Sequence, residues 1–144
     1  MPPPQIWGPF LWKVLHSIGP RVGGSPPPIR ADEERQLQWL ITNLESIIPC
    51  QECRFHIHEF KKDHPIPSLT QFSKWIWDLH ESVNKRLGKD AGPSLESIER
   101  SNILLNWVNF VASIKESILT GAVSGGCVKE YTRHLKLWGG FACI

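Results

Sequence analysis

The segment 6-IWGPFLWKVLHSIG-19 has the clearest structural pattern in the chain and decides the fold class. Its apolar residues recur every three or four positions, at Ile6, Phe10, Leu11, Val14, Leu15 and Ile18. That spacing gathers them on one face of an α-helix. Gly19 and Pro20 interrupt the pattern, so we predict a first helix over residues 6–18.

The same periodicity predicts further helices along the chain. Polar caps, prolines and a glycine mark the ends of these helices. The second helix is predicted between Asp32 and Pro49 and the third over 51–62. The fourth is predicted over 69–87, between Ser68 and Gly88. A fifth and long helix is predicted from Ser94 to Ile118, and a short last one over 128–137, after a glycine-rich break. Sustained period-two alternation is missing, so we predict an all-α fold, a compact bundle of four or five core helices.

Composition and net charge limit the classes of function that the chain can have. The 144 residues suit one globular domain, and the net charge of +2 is too small to favour nucleic acid or an anionic membrane as a partner. No apolar run approaches the roughly 20 residues that span a bilayer, and the N-terminus does not resemble a secretory signal. We therefore expect a soluble protein in a reducing compartment, where a CxxC motif is more often catalytic or metal-binding than a passive staple.

Such a motif, 50-CQEC-53, follows Pro49 at the start of the third helix. The helix dipole and the free backbone N–H groups favour a thiolate there. Cys50 would be the outer sulfur, which exchanges disulfides with a substrate, and Cys53 the inner sulfur, which passes the electrons on.

A structural zinc site is the competing interpretation, and it predicts a helical binding module without catalysis. Its ligands would be Cys50, Cys53, His56 and His58, but two histidines two positions apart on a helix point about 200° away from each other. Cys127 and Cys143 lie too far along the chain for a zinc ribbon. A disulfide exchanger of thioredoxin type is disfavoured because the chain lacks predicted strands.

Tryptophan is the third unusual feature, with seven in the chain. We assign Trp39 and Trp107 to core packing. Trp77, His80, Asn84 and Leu87 instead form one stripe on the fourth helix, and Trp7 and Trp12 share the first helix with His16. Aromatic and hydrogen-bonding groups that converge between bundle helices suit a large, flat ligand.

Three sequence blocks together carry a family resemblance: WGPFLWKVLHSIG at 7–19, PCQEC at 49–53 and WIWDLHESVNKRLGK at 75–89. In their order and separation they resemble the Erv/ALR flavin-linked sulfhydryl oxidases, and in particular the compact members carried by large DNA viruses. Within the single domain predicted over 1–144, the resemblance implies a core at about 5–90 that encloses FAD. Residues at about 94–144 lie outside the resemblance, and we predict a helical extension there. The resemblance also implies a homodimer.

The resemblance implies an activity as well. A protein dithiol would reduce the Cys50–Cys53 disulfide, Cys53 would reduce FAD, and molecular oxygen would reoxidise it with release of hydrogen peroxide. The residues implied in FAD binding are Trp7, Gly8, Trp12, His16, Trp77, His80, Val83, Asn84, Leu87 and Lys89. Lys89 and Arg86 are candidate phosphate partners, although Arg86 is equally well read as an ordinary charge at a helix C-terminus.

The chain departs from the family pattern at several positions. Glu81 stands where asparagine is usual, and the second cysteine pair of many cellular members is absent. Cys127 and Cys143 lie in the extension, where they predict either a structural disulfide or a shuttle pair that relays electrons to Cys50. The viral resemblance implies work in the cytoplasm of an infected cell and in the virion; a cellular relative would instead work in the mitochondrial intermembrane space.

Overall fold

The computed structural model describes residues 2–95 and 101–142 and contains no β-strand in those ranges. Seven α-helices occur there: α1 Pro4–Ile18, α2 Arg30–Thr42, α3 Gln51–Asp63, α4 Phe72–Arg86, α5 Ile103–Ser113, α6 Lys115–Leu119 and α7 Gly125–Phe141. The predicted all-α class is confirmed. Within the described ranges, no helix is both long enough and apolar enough to cross a bilayer.

Two predicted helix starts are wrong. Asp32 does not cap α2, since a 3₁₀ turn at Pro27–Ile29 runs directly into that helix and leaves Asp32 in its first turn, paired with Arg35. Ser68 precedes a 3₁₀ turn at Leu69–Gln71, not the α-helix itself, and its side chain makes no cap hydrogen bond. The predicted end of α4 is confirmed, because Gly88 follows it with a φ of 71°, a conformation that glycine adopts readily.

The predicted continuous helix from Ser94 to Ile118 is also wrong. Residues 101 and 102 are not helical, and residues 96–100 lie outside the described residues. The Asn102 side chain accepts a hydrogen bond from the Leu105 N–H at 2.9 Å and so caps the start of α5. Ile114 then separates α5 from α6. The last helix is longer than predicted, because it continues through Gly139 and Gly140.

The helices α5, α6 and α7, which we call the C-terminal extension, complete the core. α5 packs along α1, and α7 packs along α2. The ring of Trp7 meets Phe110 edge-on at 6.3 Å between centroids, and Trp107 stacks on Tyr131 at 5.4 Å. Trp107, Phe110, Tyr131 and Trp138 are all buried. Their burial removes large apolar surfaces from water, which is the main source of stability in such a bundle.

A buried carboxylate fastens α7 to the body of the fold. Glu33 of α2 is fully buried and accepts hydrogen bonds from the Gly23 N–H at 3.0 Å, the Ser25 hydroxyl at 2.7 Å and the Trp138 indole at 3.0 Å. Burial opposes the charge of this carboxylate, but the hydrogen bonds from Ser25, Trp138 and Gly23 outweigh it and hold the pKa of Glu33 below its usual value.

Candidate functional site

A cavity of about 650 Å³ lies between α1 and α4, with α3 at one end. All ten residues that the family resemblance implies in FAD binding line it: Trp7, Gly8, Trp12, His16, Trp77, His80, Val83, Asn84, Leu87 and Lys89. The helical spacing of the two stripes explains this convergence, because each stripe lies on the face its helix turns toward the other. The volume is within the range of small-molecule and cofactor sites, about 300–1,000 Å³.

An aromatic stack forms one wall of the cavity. The rings of Trp12 and His80 are nearly parallel, with an angle of 8° and centroids 4.0 Å apart. His16 Nε2 lies 2.8 Å from His80 Nδ1, so one imidazole donates a hydrogen bond to the other. Burial lowers the pKa of both histidines to about 4; the charge of the partner His80 adds to the effect on His16, and that of Lys89 adds to the effect on His80. Both rings are therefore neutral at pH 7, and the wall is flat and uncharged.

The segment after α4 closes the side of the cavity. Trp77 Nε1 donates a hydrogen bond to the Pro93 carbonyl at 2.9 Å, and the Gly92 N–H donates to Glu81 Oε1 at 2.9 Å. Glu81 is the position that departs from the asparagine usual in the family pattern. The structure gives this carboxylate a different partner, the backbone of the closing segment.

The two cysteines of the CxxC motif form a disulfide, with their Cα atoms 5.2 Å apart. Cys50 is the N-cap of α3, is half-buried, and accepts a hydrogen bond from the Cys53 N–H at 3.2 Å. Cys53, one turn further along, is buried and lines the cavity. The pair thus spans the distance from the protein surface to the cavity wall.

Two arginines contact this region in ways that the sequence did not predict. Arg86 Nη2 lies 3.7 Å from Cys53 Sγ. The Arg54 guanidinium donates hydrogen bonds to the carbonyl of Ile48, just before the motif, and to the carbonyl of Ala122 in the extension, the latter at 2.7 Å. The contacts of Arg86 with Cys53 and of Arg54 with Ala122 join residues 33 and 68 positions apart, so no local pattern signals them.

The histidines of the zinc interpretation point to separate neighbours. His56 Nε2 lies 2.9 Å from the Ser82 hydroxyl, while His58 Nδ1 lies 4.0 Å from Glu45. Residues 2–95 and 101–142 contain no group of three His, Cys, Asp or Glu side chains arranged to hold a metal ion.

Of the second predicted cysteine pair, one member lies within the described residues. Cys127 is a free, half-buried thiol in the first turn of α7, and the Ser124 hydroxyl accepts a hydrogen bond from its N–H at 3.3 Å. Its predicted partner, Cys143, lies outside the described residues. A staple or shuttle role for the two cysteines stays a prediction.

Trp39 stacks on His134 at 3.6 Å and packs, as expected, away from the cavity.

Comparison with known proteins gives a consistent family. The model of the Erv1 / Alr family matches residues 9–102. An FAD-linked sulfhydryl oxidase of African swine fever virus (isolate Pig/Kenya/KEN-50/1950) is 32% identical over 85 residues, which cover 58% of this chain and 69% of that protein. The 347L protein of Invertebrate iridescent virus 6 is 33% identical over 106 residues, 67% of this chain and 91% of that protein.

A plant protein belongs to the same group of matches. The FAD-linked sulfhydryl oxidase ERV1 of Oryza sativa subsp. japonica is 33% identical over 88 residues, 60% of this chain and 44% of that protein. No solved structure gives a significant match to the chain.

Proposed function

The chain belongs to the Erv1/Alr family, and on that premise we propose that it is an FAD-dependent thiol oxidase that forms disulfide bonds in protein substrates. The observation that carries the proposal is the position of Cys53. One sulfur of a CxxC disulfide lines the same cavity as the stacked rings of Trp12 and His80.

The residues around the cavity fit FAD. The neutral aromatic wall suits flat ring systems, and the cations Lys13 and Lys89 on the lining suit phosphates. When bound, the isoalloxazine supplies the two-electron chemistry that connects the cysteine pair to molecular oxygen, with hydrogen peroxide as the product.

The cysteines carry out the thiol–disulfide exchange. A substrate thiolate attacks Cys50 Sγ, a mixed disulfide forms between them, and Cys53 leaves as a thiolate. A second substrate thiolate then attacks the mixed disulfide and releases the oxidised substrate with Cys50 as a thiolate. Cys50 suits the first attack because it is the less buried of the two sulfurs, and Cys53 suits electron delivery because it lines the cavity.

The same proposal includes a homodimer, supported by the outer face of α5. Leu104, Leu105 and Val108 are 51%, 58% and 62% exposed there, and α5 has no charged residue. A helix that is apolar on both faces is usually buried on both. Sedimentation should give a dimer for the native chain and a monomer for a Val108→Glu variant; a monomeric native chain would remove this part of the proposal.

A cellular location is also part of the proposal. Two of the relatives are viral, which supports work in the cytoplasm of an infected cell. The cysteines of virion proteins would otherwise stay reduced there. Fractionation of cells in which the gene is expressed, with a mitochondrial marker, separates this location from the intermembrane space.

The activity is tested by cysteine variants of the purified protein. The native protein should show visible flavin absorption and consume oxygen when a dithiol is added. Cys53→Ser should retain the flavin and lose oxygen consumption, and Cys50→Ser should do the same with a protein dithiol. Cys127→Ser is the matched control outside the pair and should retain both properties. A folded native protein without flavin would overturn the proposal.

A further inference from the structure

Arg86 occupies a position that the exchange steps above do not use. It ends α4, and its Nη2 lies 3.7 Å from Cys53 Sγ. It lines the cavity, and it also lines a surface groove beside the CxxC motif with the residues Gln51, Glu52, Phe55, His56 and Glu59. Its guanidinium therefore stands between the solvent and the inner sulfur.

We propose that Arg86 is a catalytic residue of the thiol exchange, whose guanidinium stabilises the Cys53 thiolate released when a substrate thiolate opens the Cys50–Cys53 disulfide. The inference rests on the proposed thiol oxidase function and assigns a further residue to that site.

The charge balance of the step explains why such a residue is needed. The new bond joins the substrate sulfur to Cys50 Sγ, and the Cys50–Cys53 bond breaks with its electron pair left on Cys53. One negative charge thus moves from the substrate sulfur to Cys53 Sγ, and no proton or external oxidant takes part. A better-stabilised leaving thiolate departs faster.

The start of α3 cannot supply this stabilisation to both sulfurs. As the N-cap, Cys50 accepts the Cys53 N–H and faces the positive end of the helix dipole. Cys53 lies one turn inside the helix and is buried, a setting that disfavours a thiolate unless a cation is near. Arg86 is the residue in the described part of the chain whose side chain donates to Cys53 Sγ.

The other ionisable groups around Cys53 do not duplicate this role. α3 contributes Glu52 and His56, and the cavity lining contributes Lys13, His16, His80, Glu81 and Lys89. Burial, and then the charge of Arg86, lower the pKa of His56. The pKa of His16 and that of His80 are about 4. His16 and His80 are therefore neutral at pH 7, and the lowered pKa of His56 favours its neutral form, whereas an arginine keeps its charge. Lys13 and Lys89 line the cavity, but in the described part of the chain the side-chain hydrogen bond to Cys53 Sγ comes from Arg86.

The test measures the thiol directly. In a chain with Cys50, Cys127 and Cys143 changed to serine, Cys53 is the remaining cysteine, and its pKa follows from thiolate ultraviolet absorbance against pH. We expect Arg86→Gln to raise that pKa by about one unit, the lower end of the effect of a nearby charge, because Arg86 is exposed. Arg86→Lys should retain part of the effect. Lys85 directly precedes Arg86 and is exposed. Lys85→Gln removes the same charge and should leave the pKa of Cys53 unchanged.

The second readout is the rate at which a small dithiol reduces the Cys50–Cys53 disulfide, which Arg86→Gln should slow several-fold and Lys85→Gln should not. An equal pKa in Arg86→Gln and Lys85→Gln would overturn the proposal. So would a loss of flavin affinity in Arg86→Gln with the Cys53 pKa unchanged, since that result assigns Arg86 to a phosphate. Both readouts work on protein without flavin, so a failure of the proposed oxidase function is seen separately, as absent flavin in the native chain.

Discussion

The hydrogen bond between His16 Nε2 and His80 Nδ1, at 2.8 Å, joins α1 to α4 across the cavity wall. His16 comes from the first sequence block of the family resemblance and His80 from the third, so the two blocks meet in one contact. Because burial lowers the pKa of each ring to about 4, the contact is formed by two neutral imidazoles at pH 7.

This pair predicts a loss of stability on acidification. Between the ordinary histidine value of 6.5 and about 4, the unfolded chain binds protons that the folded chain does not. The free energy of unfolding of the flavin-free protein should therefore be highest near neutral pH and decrease as the pH falls through that window. Denaturant titrations at a series of pH values measure it.

The control for this prediction is the double variant His16→Gln, His80→Gln. Its stability should depend less on pH between 6.5 and 4, although some dependence remains, because the pKa of His56 is also lowered, by burial and by Arg86. If the free energy of unfolding of the double variant fell with pH as steeply as that of the native chain, the acid sensitivity would belong to other groups.

Glu81 should control how firmly the segment after α4 closes the cavity. Glu81→Ala removes the acceptor of the Gly92 N–H, so we expect faster hydrogen exchange at Gly92 and flavin binding weakened several-fold. Glu81→Gln keeps an oxygen acceptor and should resemble the native chain in both measurements. Equal exchange rates at Gly92 in all three proteins would contradict the closing role.

Glu33 should be among the most sensitive positions for stability. Glu33→Ala removes the acceptor of the donors of Gly23, Ser25 and Trp138. The Ser25 and Trp138 donors are buried, and each unpaired buried donor costs about 1–3 kcal/mol. We expect a loss of about 3 kcal/mol or more in the free energy of unfolding. Trp138→Phe removes one of these donors and should cost less. Chemical denaturation compares the two, and a larger effect for Trp138→Phe would show that ring packing outweighs the carboxylate.

Arg54 should couple the extension to the CxxC motif. Arg54→Met retains much of the side-chain volume but removes the donors to the Ile48 and Ala122 carbonyls. We expect a loss of about 1–2 kcal/mol and faster proteolysis between α6 and α7. The matched control is Arg133→Met, since Arg133 pairs with Glu130 on the exposed side of α7. Equal proteolysis of the two variants would contradict the coupling.

Periodicity predicted the helical class and most helix positions, because each apolar stripe reflects burial along its own helix. Periodicity predicts less where a residue has both a conformational and a packing role. Gly19 ends α1 as predicted, and a 3₁₀ turn at Gly19–Arg21 follows. Periodicity does not show its second use in packing: a Cβ there would overlap the Ser73 hydroxyl at the start of α4. The break at Ile114 has no signal in the apolar pattern, because apolar residues continue through it.

The site was predictable to the extent that its residues lie in local motifs. The two stripes and the CxxC motif each have a spacing that can be read within one helix. Arg86 illustrates what cannot be read: its distance to Cys53 depends on how α3 and α4 pack, and the sequence separates the two residues by 33 positions. The partner of Glu81 depends likewise on the path of the segment after α4.

Trp7 lines the cavity and also meets Phe110 of α5. The family match stops at residue 102, and α5 begins at Ile103. A fragment cut at residue 102, where the family match stops, would expose the apolar back of the helix that carries Trp7, Trp12 and His16. In this chain the segment that the family model matches is therefore shorter than the segment that shares one hydrophobic core, and the helices beyond the match support the ones within it.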